Sequence, residues 1–206
     1  MDRSPLLDAL ERARDRGFLG PGEVGPHLDH SLGFVEIARS VLGAPPARVA
    51  DLGTGGGVPG LVLAAAWPES EVVMVESSAR RAEWLRAVAV ALGLDRALVL
   101  EGRAEELAHR PDRREHFDLV TARSFASPPA TAEIAAGFVA VGGGVLVSEP
   151  PRASDRWPAE PLQRLGLDAR QFSSASGARY VCLRKTRTTP ADLPRRRGRA
   201  VKRPLW

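Results

Sequence analysis

One glycine-dense stretch, VADLGTGGGVPG at 49–60, restricts most strongly what this chain can fold into. An apolar run that suits a strand ends at Asp51, and glycines follow at 53, 55 and 57. Glycine permits a positive φ and lets a ligand approach the main chain closely. Pro59 suits a first helical position, where the free N–H groups of a helix start attract anionic groups. The stretch therefore predicts a strand, a turn and a helix that hold a nucleotide-like cofactor.

Strand-like and helix-like segments alternate after residue 47. We predict strands at 48–52, 72–76, 97–101, 117–122 and 145–148, and helices at 59–67, 79–92, 104–108 and 130–139. Such alternation is typical of a parallel sheet with helices on both faces. Segments 171–174 and 179–184 predict an antiparallel hairpin at the C-terminal end.

The glycine turn alone fits NAD as well as S-adenosylmethionine. It matches G-x-G-x-x-G, with Glu76 at the end of the next strand as a ribose acceptor. The D-x-G-x-G pattern from Asp51 to Gly55, however, is typical of class I methyltransferases. The Asp51 carboxylate can organise the turn near the positive charge of the cofactor, and Glu76 can accept hydrogen bonds from both ribose hydroxyls. Together these features favour S-adenosylmethionine.

Two later loops extend the predicted site. The loop GRAE at 102–105 follows the third strand and is expected beside the adenine ring, although Glu105 also suits a helix start. The fourth strand ends in TARSFA at 121–126, where the methyl acceptor is expected. Arg123 presents a guanidinium fork that matches phosphate, carboxylate or the Hoogsteen edge of guanine. No Asn-Pro-Pro-Tyr-like segment occurs there, which disfavours methylation of an exocyclic amine.

Basic residues are concentrated at the C-terminal end. The chain has a net charge of +4, yet residues 184–206 hold nine bases and one acid. This asymmetry predicts a polyanionic partner, most simply nucleic acid, although a solvated, disordered end is the alternative. The residues expected to bind RNA are Arg195, Arg196, Arg197, Lys202 and Arg203.

Composition bears on the cellular location of the protein and on its partners. A single cysteine, Cys182, excludes an internal disulfide and fits a reducing cytoplasm. No apolar run approaches the roughly 18 residues that a membrane helix needs, and the N-terminus lacks a signal-peptide core. We expect a cytoplasmic protein with no membrane partner and no metal. The oligomeric state stays open.

Taken together, these motifs resemble the RsmG (GidB) family of bacterial methyltransferases, which act on a guanine N7 of small-subunit ribosomal RNA. The matching segments are DLGTGGGVPG at 51–60, ES at 76–77, GRAE at 102–105 and TARSFA at 121–126. The resemblance runs from about residue 19 to 205 and includes the basic, proline-bearing end. It implies an α/β, Rossmann-like class I methyltransferase with a mostly parallel seven-stranded sheet and ribosomal RNA, or the small ribosomal subunit, as partner.

The resemblance also assigns site residues. It places the cofactor against Gly53, Val58, Ala104, Glu105 and Arg123, with Glu76 and Ser77 at the ribose. The full set predicted to bind the cofactor is Asp51, Gly53, Gly55, Gly57, Val58, Glu76, Ser77, Arg103, Ala104, Glu105 and Arg123. Arg123 is the one catalytic candidate, through a contact to guanine O6, a phosphate or the cofactor. Since N7 carries a lone pair and no proton, no general base is needed, and catalysis would rest on positioning and electrostatics.

Two segments depart from the family pattern. The family has a His-Leu-Leu-Asp/Asn-Ser-like segment where this chain contains His30-Ser31-Leu32, and a lysine where it has Glu149. Two alternatives therefore stay open. One is a methyltransferase of the same fold with a small-molecule acceptor, in which Glu149 acts as a base or binds an amine. The other is a non-catalytic nucleic-acid-binding protein.

Three parts are expected along the chain. Residues 1–46 would form an N-terminal helical cap, residues 47–186 the S-adenosylmethionine-binding domain and residues 187–206 a basic tail. A proline-rich stretch at 150–161 predicts an irregular loop or part of a lid.

Overall fold

A computed structural model describes residues 3–152, 155–196 and 198–206. Its helices are α1 (Ser4–Asp15), α2 (Gly25–Leu42), α3 (Gly60–Ala66), α4 (Ala79–Ala91), α5 (Ala104–Leu107), α6 (Pro128–Ala136), α7 (Ala159–Arg164) and α8 (Arg199–Lys202). Its strands are β1 (Arg48–Leu52), β2 (Glu71–Glu76), β3 (Ala97–Glu101), β4 (Phe117–Ala122), β5 (Val139–Glu149), β6 (Leu167–Ser173) and β7 (Arg179–Lys185). Among these described residues, no helix is both long and apolar enough to cross a membrane.

The seven strands form one sheet in the order β3-β2-β1-β4-β5-β7-β6. Strands β1 to β5 pair in parallel, whereas β7 pairs antiparallel with both β5 and β6. The predicted fold class, including the C-terminal hairpin, is confirmed. The strand order reverses between β1 and β4, and ligands of such sheets bind in the crevice at that switch point. The loops that follow β1 and β4 therefore face each other across the crevice.

Alternating side chains of the central strands supply both faces of the sheet with apolar contacts. Val49 joins the cluster packed beneath α2 and α3, while Ala50 and Leu52 join the cluster beneath α5 to α8. Both faces are buried, so these strands are apolar almost throughout, as parallel strands usually are.

The N-terminal helices complete one face of the molecule. Helix α1 buries Leu6, Ala9, Leu10 and Ala13, which lie on one helical stripe. Helix α2 packs on β5 and β7, where the Tyr180 ring stands over Gly33. A Cβ at Gly33 would lie 2.1 Å from the Tyr180 hydroxyl oxygen, so this helical position requires glycine.

The structure corrects two boundaries near the fifth strand. The helix predicted at 130–139 ends at Ala136, and β5 begins at Val139 instead of residue 145. The glycines at 142–144 lie within the strand, next to a register shift against β4, because glycine accommodates such irregularities. The stretch 150–161 is also not wholly irregular, since α7 begins at Ala159.

The basic C-terminal segment packs against the α5–α6 face. Arg195 pairs with Glu133 of α6, whose side chain is fully buried, at 2.6 Å between Nη2 and Oε2. The Gly198 N–H donates to Glu105 at 3.0 Å, and the Trp206 indole donates to the Arg156 carbonyl at 3.3 Å. In its described part, this segment is therefore held by specific contacts, unlike the disordered end considered from sequence.

Candidate functional site

A cavity of about 450 Å³ opens at the switch point between β1 and β4. We call it the cofactor cavity. It is lined by Phe18, Leu19, Gly20, His27, Gly53, Thr54, Gly55, Gly56, Val58, Glu76, Ser77, Arg81, Arg103, Arg123, Ser124 and Phe125. The ends of four neighbouring strands, β3, β2, β1 and β4, thus meet the segment between α1 and α2 around one space.

Three glycines of the turn have positive φ, yet they serve different purposes. Gly53, at φ +67°, lies so near Phe125 that a Cβ would come within 2.7 Å of the ring. Gly55, at φ +56°, has no other atom nearer than 3.8 Å to an added Cβ, so its main chain is open toward the cavity. Gly57 packs on Leu61 of α3 and does not line the cavity.

Asp51 fixes the turn from behind. Its Oδ2 accepts from the Gly60 N–H at the start of α3, and its Oδ1 accepts from the Thr121 hydroxyl on β4. Burial raises the pKa of Asp51 to about 6, even though both hydrogen bonds favour the carboxylate. Because Asp51 is fully buried and does not line the cavity, it organises the turn and does not reach the cofactor's charge directly.

Glu76 lies at the end of β2, on the cavity wall, with most of its hydrogen-bonding capacity used. It accepts from the N–H groups of Gly55 and Ser78, at 3.0 and 2.8 Å, and from Arg81 at 2.8 Å. Burial alone would raise the pKa of Glu76, but these bonds outweigh it and hold the pKa below its usual value. A carboxylate has about four acceptor sites, so one site is left for a ribose hydroxyl.

Arg123 follows β4 and meets a histidine that the sequence analysis did not select. Its guanidinium lies 2.5 Å from His27 Nδ1 and also donates to the His27 carbonyl. Since arginine only donates, Nδ1 must accept. Burial, followed by the charge of Arg123, lowers the pKa of His27, so the ring is neutral near pH 7.

His30, the histidine singled out from sequence, lies away from the cofactor cavity. Its ring stacks on Tyr180 at 5.2 Å between centroids. Burial, with smaller effects of Arg123 and His27, lowers the pKa of His30 to about 4. Phe18 and Leu19 are further cavity residues that were missed, because the surrounding glycines and proline indicated only a break between helices.

The remaining predicted cofactor residues divide into two groups. Val58, Ser77 and Arg103 line the cavity as expected, whereas Ala104 and Glu105 do not. Ala104 packs in the apolar core, and Glu105 accepts the Gly198 N–H of the C-terminal segment.

The residues predicted to bind RNA also divide. Arg195 is held by Glu133, whose hydrogen bonds raise the pKa of Arg195 despite partial burial. Arg196, Lys202 and Arg203 are exposed. Arg197 lies outside the described residues.

A second cavity, of about 470 Å³, adjoins the cofactor cavity. The two share Ser124 and Phe125, so we call the second one the acceptor-side cavity. Glu149, Arg156 and Trp157 also line it. The Glu149 side chain is only 8% exposed, and its Oε1 lies 3.4 Å from Arg156 Nη1.

The residues present fit S-adenosylmethionine. A volume of about 450 Å³ is ample for a nucleoside with an amino-acid side arm, since ligand pockets typically run from about 300 to 1,000 Å³. Glu76 with Ser77 would hold the ribose, and the open main chain at Gly55 would contact the amino-acid arm.

Comparisons with known proteins agree with this geometry. Residues 25–163 match the family model GidB, described as rRNA small subunit methyltransferase G. Ribosomal RNA small subunit methyltransferase G of Moorella thermoacetica is 34% identical over 169 residues, which cover 78% of this chain and 70% of the relative. The protein of that name from Rubrobacter xylanophilus is 33% identical over 221 residues, covering 97% and 80%.

Solved structures share the fold. An O-methyltransferase from Bacillus cereus, in complex with SAH, has a TM-score of 0.64 and 18% identity, covering 90% of this chain and 92% of that one. The chain therefore belongs to the GidB family, rRNA small subunit methyltransferase G, and is a methyltransferase that uses S-adenosylmethionine.

Proposed function

We propose that this protein methylates N7 of a guanine in small-subunit ribosomal RNA. One observation carries the choice of a nitrogen that needs no deprotonation. Among the described residues that line the cofactor cavity, no side chain at the β4 end has a free lone pair that could take up a proton. A hydroxyl or exocyclic amine as acceptor would have to lose a proton there, whereas guanine N7 would not.

His27 is the group that might otherwise act as a base. A neutral imidazole has one N–H and one lone pair. The lone pair is on Nδ1, because that atom accepts from Arg123, so Nε2 carries the proton. Glu76, the cavity carboxylate, is held at the ribose end by Gly55, Ser78 and Arg81.

Positioning then accounts for catalysis. When bound, S-adenosylmethionine supplies a methyl group that the acceptor nitrogen takes up without transfer of a proton. Arg123 is half-buried in the cofactor cavity, next to Ser124, which lines both cavities, and it is held by His27 of α2, so its fork has one fixed direction. A fixed donor beside the acceptor can orient guanine O6 or a phosphate, which is where the rate advantage of a preorganised site arises.

RNA would approach over exposed basic residues. Arg196, Lys202 and Arg203 are free of described acidic partners at the C-terminal end, and Arg80 lies 5.1 Å from the Phe18 ring beside the cavity. Contacts of such residues to phosphate would make RNA binding strongly dependent on salt. A ribosomal RNA substrate also implies a cytoplasmic protein.

The test is methyl transfer from labelled S-adenosylmethionine to small ribosomal subunits from a strain that lacks the guanine modification. We expect label in the RNA, at a guanine where reduction and aniline treatment cleave the chain, as N7-methylated guanines do. Gly55→Asp protein should give no label. Label on another atom, or no transfer by a wild-type protein that binds the cofactor, would contradict the proposal.

A small-molecule acceptor is the second candidate, and Glu149 is what favours it. This buried carboxylate lies in the cavity next to the cofactor and could act as a base for an amine or hydroxyl. Such an enzyme would methylate small nucleophiles and leave ribosomal RNA unlabelled in the same assay.

A further inference from the structure

The acceptor-side cavity is placed to receive the base that is methylated. It meets the cofactor cavity at Ser124 and Phe125, directly after the β4 end, where the transferred methyl group is expected. A planar base that enters from this side would point one edge at the cofactor cavity. An adjacent edge would stay within the acceptor-side cavity, which Glu149 also lines.

Glu149 has hydrogen-bonding capacity that the protein does not use. Its side chain is almost fully buried at the end of β5. The one contact among the described residues is the long Arg156 bond to Oε1, which leaves Oε2 without a described partner. An acceptor oxygen that lines a cavity and has no protein donor is available to a ligand or to water.

Trp157 lines the same cavity. Its indole N–H is enclosed by the protein and has no acceptor among the described residues. The cavity therefore offers a ligand the unused carboxylate acceptor of Glu149, whereas the Trp157 N–H is out of reach.

Guanine matches this carboxylate. Its Watson–Crick edge has two adjacent donors, N1–H and the 2-amino group, which fit the two oxygens of a carboxylate. This edge adjoins the edge that carries N7, shares O6 with it and faces roughly at a right angle to it. A guanine with N7 toward the cofactor cavity can therefore keep its donors within the acceptor-side cavity, which Glu149 lines. Adenine has no donor at N1 and cannot make this contact.

We propose that Glu149 is the specificity-determining residue that recognises the Watson–Crick edge of the acceptor guanine. This inference rests on the proposed function and names how its base is chosen. Glu149 thereby holds the ring and removes no proton, because N7 has none to lose. The base must be unpaired when it binds, since Glu149 takes the place of its Watson–Crick partner.

The test compares guanine with hypoxanthine, which lacks only the 2-amino group. Small subunits are rebuilt with RNA that has either base at the methylated position, and kcat/KM is measured for both. We expect the wild type to prefer guanine about 10- to 100-fold, the range of a bidentate base contact. Glu149→Gln should lose activity on guanine, change little on hypoxanthine, and so lose the preference.

Two variants separate recognition from structure. Glu160→Gln changes an exposed carboxylate that pairs with Arg164 on α7, outside both cavities, and should behave as the wild type. Arg156→Ala removes the partner of Glu149 and leaves its carboxylate, so the preference for guanine should persist. Cofactor affinity and melting temperature, measured for each variant, report on folding.

The outcomes distinguish the two proposals. If the wild type methylates both bases and Glu149→Gln keeps the preference, or loses activity equally on both, Glu149 does not recognise the base and only this inference falls. A wild type that prefers neither base also overturns it. If the wild type labels neither subunit although it binds the cofactor, the proposed function fails first.

Discussion

The two adjoining cavities differ in how far the polar groups that line them are already hydrogen-bonded within the protein. The cofactor cavity is walled by main chain and by polar groups already satisfied within the protein, such as Glu76. The acceptor-side cavity is lined by a carboxylate with an unused acceptor oxygen, Glu149. The first is therefore formed before its ligand arrives, whereas the second is completed by its ligand. This difference suits a constant methyl donor and an acceptor that must be selected.

The largest expected effect is a loss of cofactor affinity when a charged residue replaces Gly55. Gly55→Asp places a second carboxylate near Glu76 at a position with φ +56°. We expect cofactor affinity to fall by on the order of 1,000-fold, because the new carboxylate would face the carboxylate of the cofactor's amino-acid arm, and like charges about 4 Å apart near a surface repel by about 4 kcal/mol. Calorimetric titration with S-adenosylmethionine measures the loss.

The matched control is Gly177→Asp, which puts the same residue at φ +82° in the β6–β7 turn, away from both cavities. It should bind the cofactor normally. Equal losses in both variants would show that backbone strain, and not charge in the cavity, is responsible.

Asp51, which fixes the turn of the cofactor cavity, makes the unfolding free energy depend on pH. The pKa of Asp51 rises from 3.8 to about 6 on folding, so between these values the native state binds more protons than the unfolded state. Stability from this group is thus highest below pH 4 and falls as pH rises to about 6. Asp51→Asn keeps an acceptor for Gly60 and a donor for Thr121 but cannot titrate.

Denaturant unfolding at several pH values compares the two proteins. Relative to the wild type, Asp51→Asn should gain about 3 kcal/mol between pH 4 and pH 7, the equivalent of about two pKa units. A stability difference that does not change with pH would contradict the assignment.

The ion pair between Arg195 and Glu133 lies outside the acceptor-side cavity and stabilises α6, which lines it. Glu133 lies on α6, and α6 also supplies Pro128 and Thr131 to this cavity. Arg195→Ala leaves the buried Glu133 without its cation and with only the main-chain N–H of residue 195 as donor. We expect a loss of about 2 kcal/mol in unfolding free energy, below the usual value because this N–H remains and Arg195 is partly exposed. Thermal unfolding measures the loss.

Arg196, next to Arg195 in the chain, provides the control for this variant. Arg196→Ala, at an exposed position, should leave stability unchanged and instead reduce the salt dependence of RNA binding by about one counterion. If Arg195→Ala changes only the salt dependence, the ion pair does not support the fold.

Arg123, next to the boundary between the cavities, gives the smallest expected effect. Arg123→Lys keeps the charge but loses the fork that contacts His27. We expect kcat to fall by about 10-fold with little change in cofactor affinity, since a lysine orients less well than a guanidinium. Single-turnover methylation and cofactor titration distinguish the two quantities. An unchanged kcat would exclude a positioning role.

Local patterns explain what the sequence predicted well. Asp51, the glycine turn and Glu76 act within one strand–turn–helix unit and the next strand, so spacing alone places them together. His27 reaches the site only through the packing of α2, which no spacing reveals. Glu149, at the end of β5, was selected from its departure from the family pattern, but only the fold shows the cavity that it lines. Arg195 and Glu133 are 62 residues apart, and only the folded chain shows that this arginine is already paired.

The fluorescence of Trp157 can report binding of a base in the acceptor-side cavity. Guanine quenches indole fluorescence on contact, and Trp157 stands on the wall of the acceptor-side cavity. The other three tryptophans, Trp67, Trp84 and Trp206, line neither of the two cavities. A protein with Trp157 as its sole indole would therefore report arrival of the base separately from arrival of the methyl donor, and stopped-flow emission could time the two events.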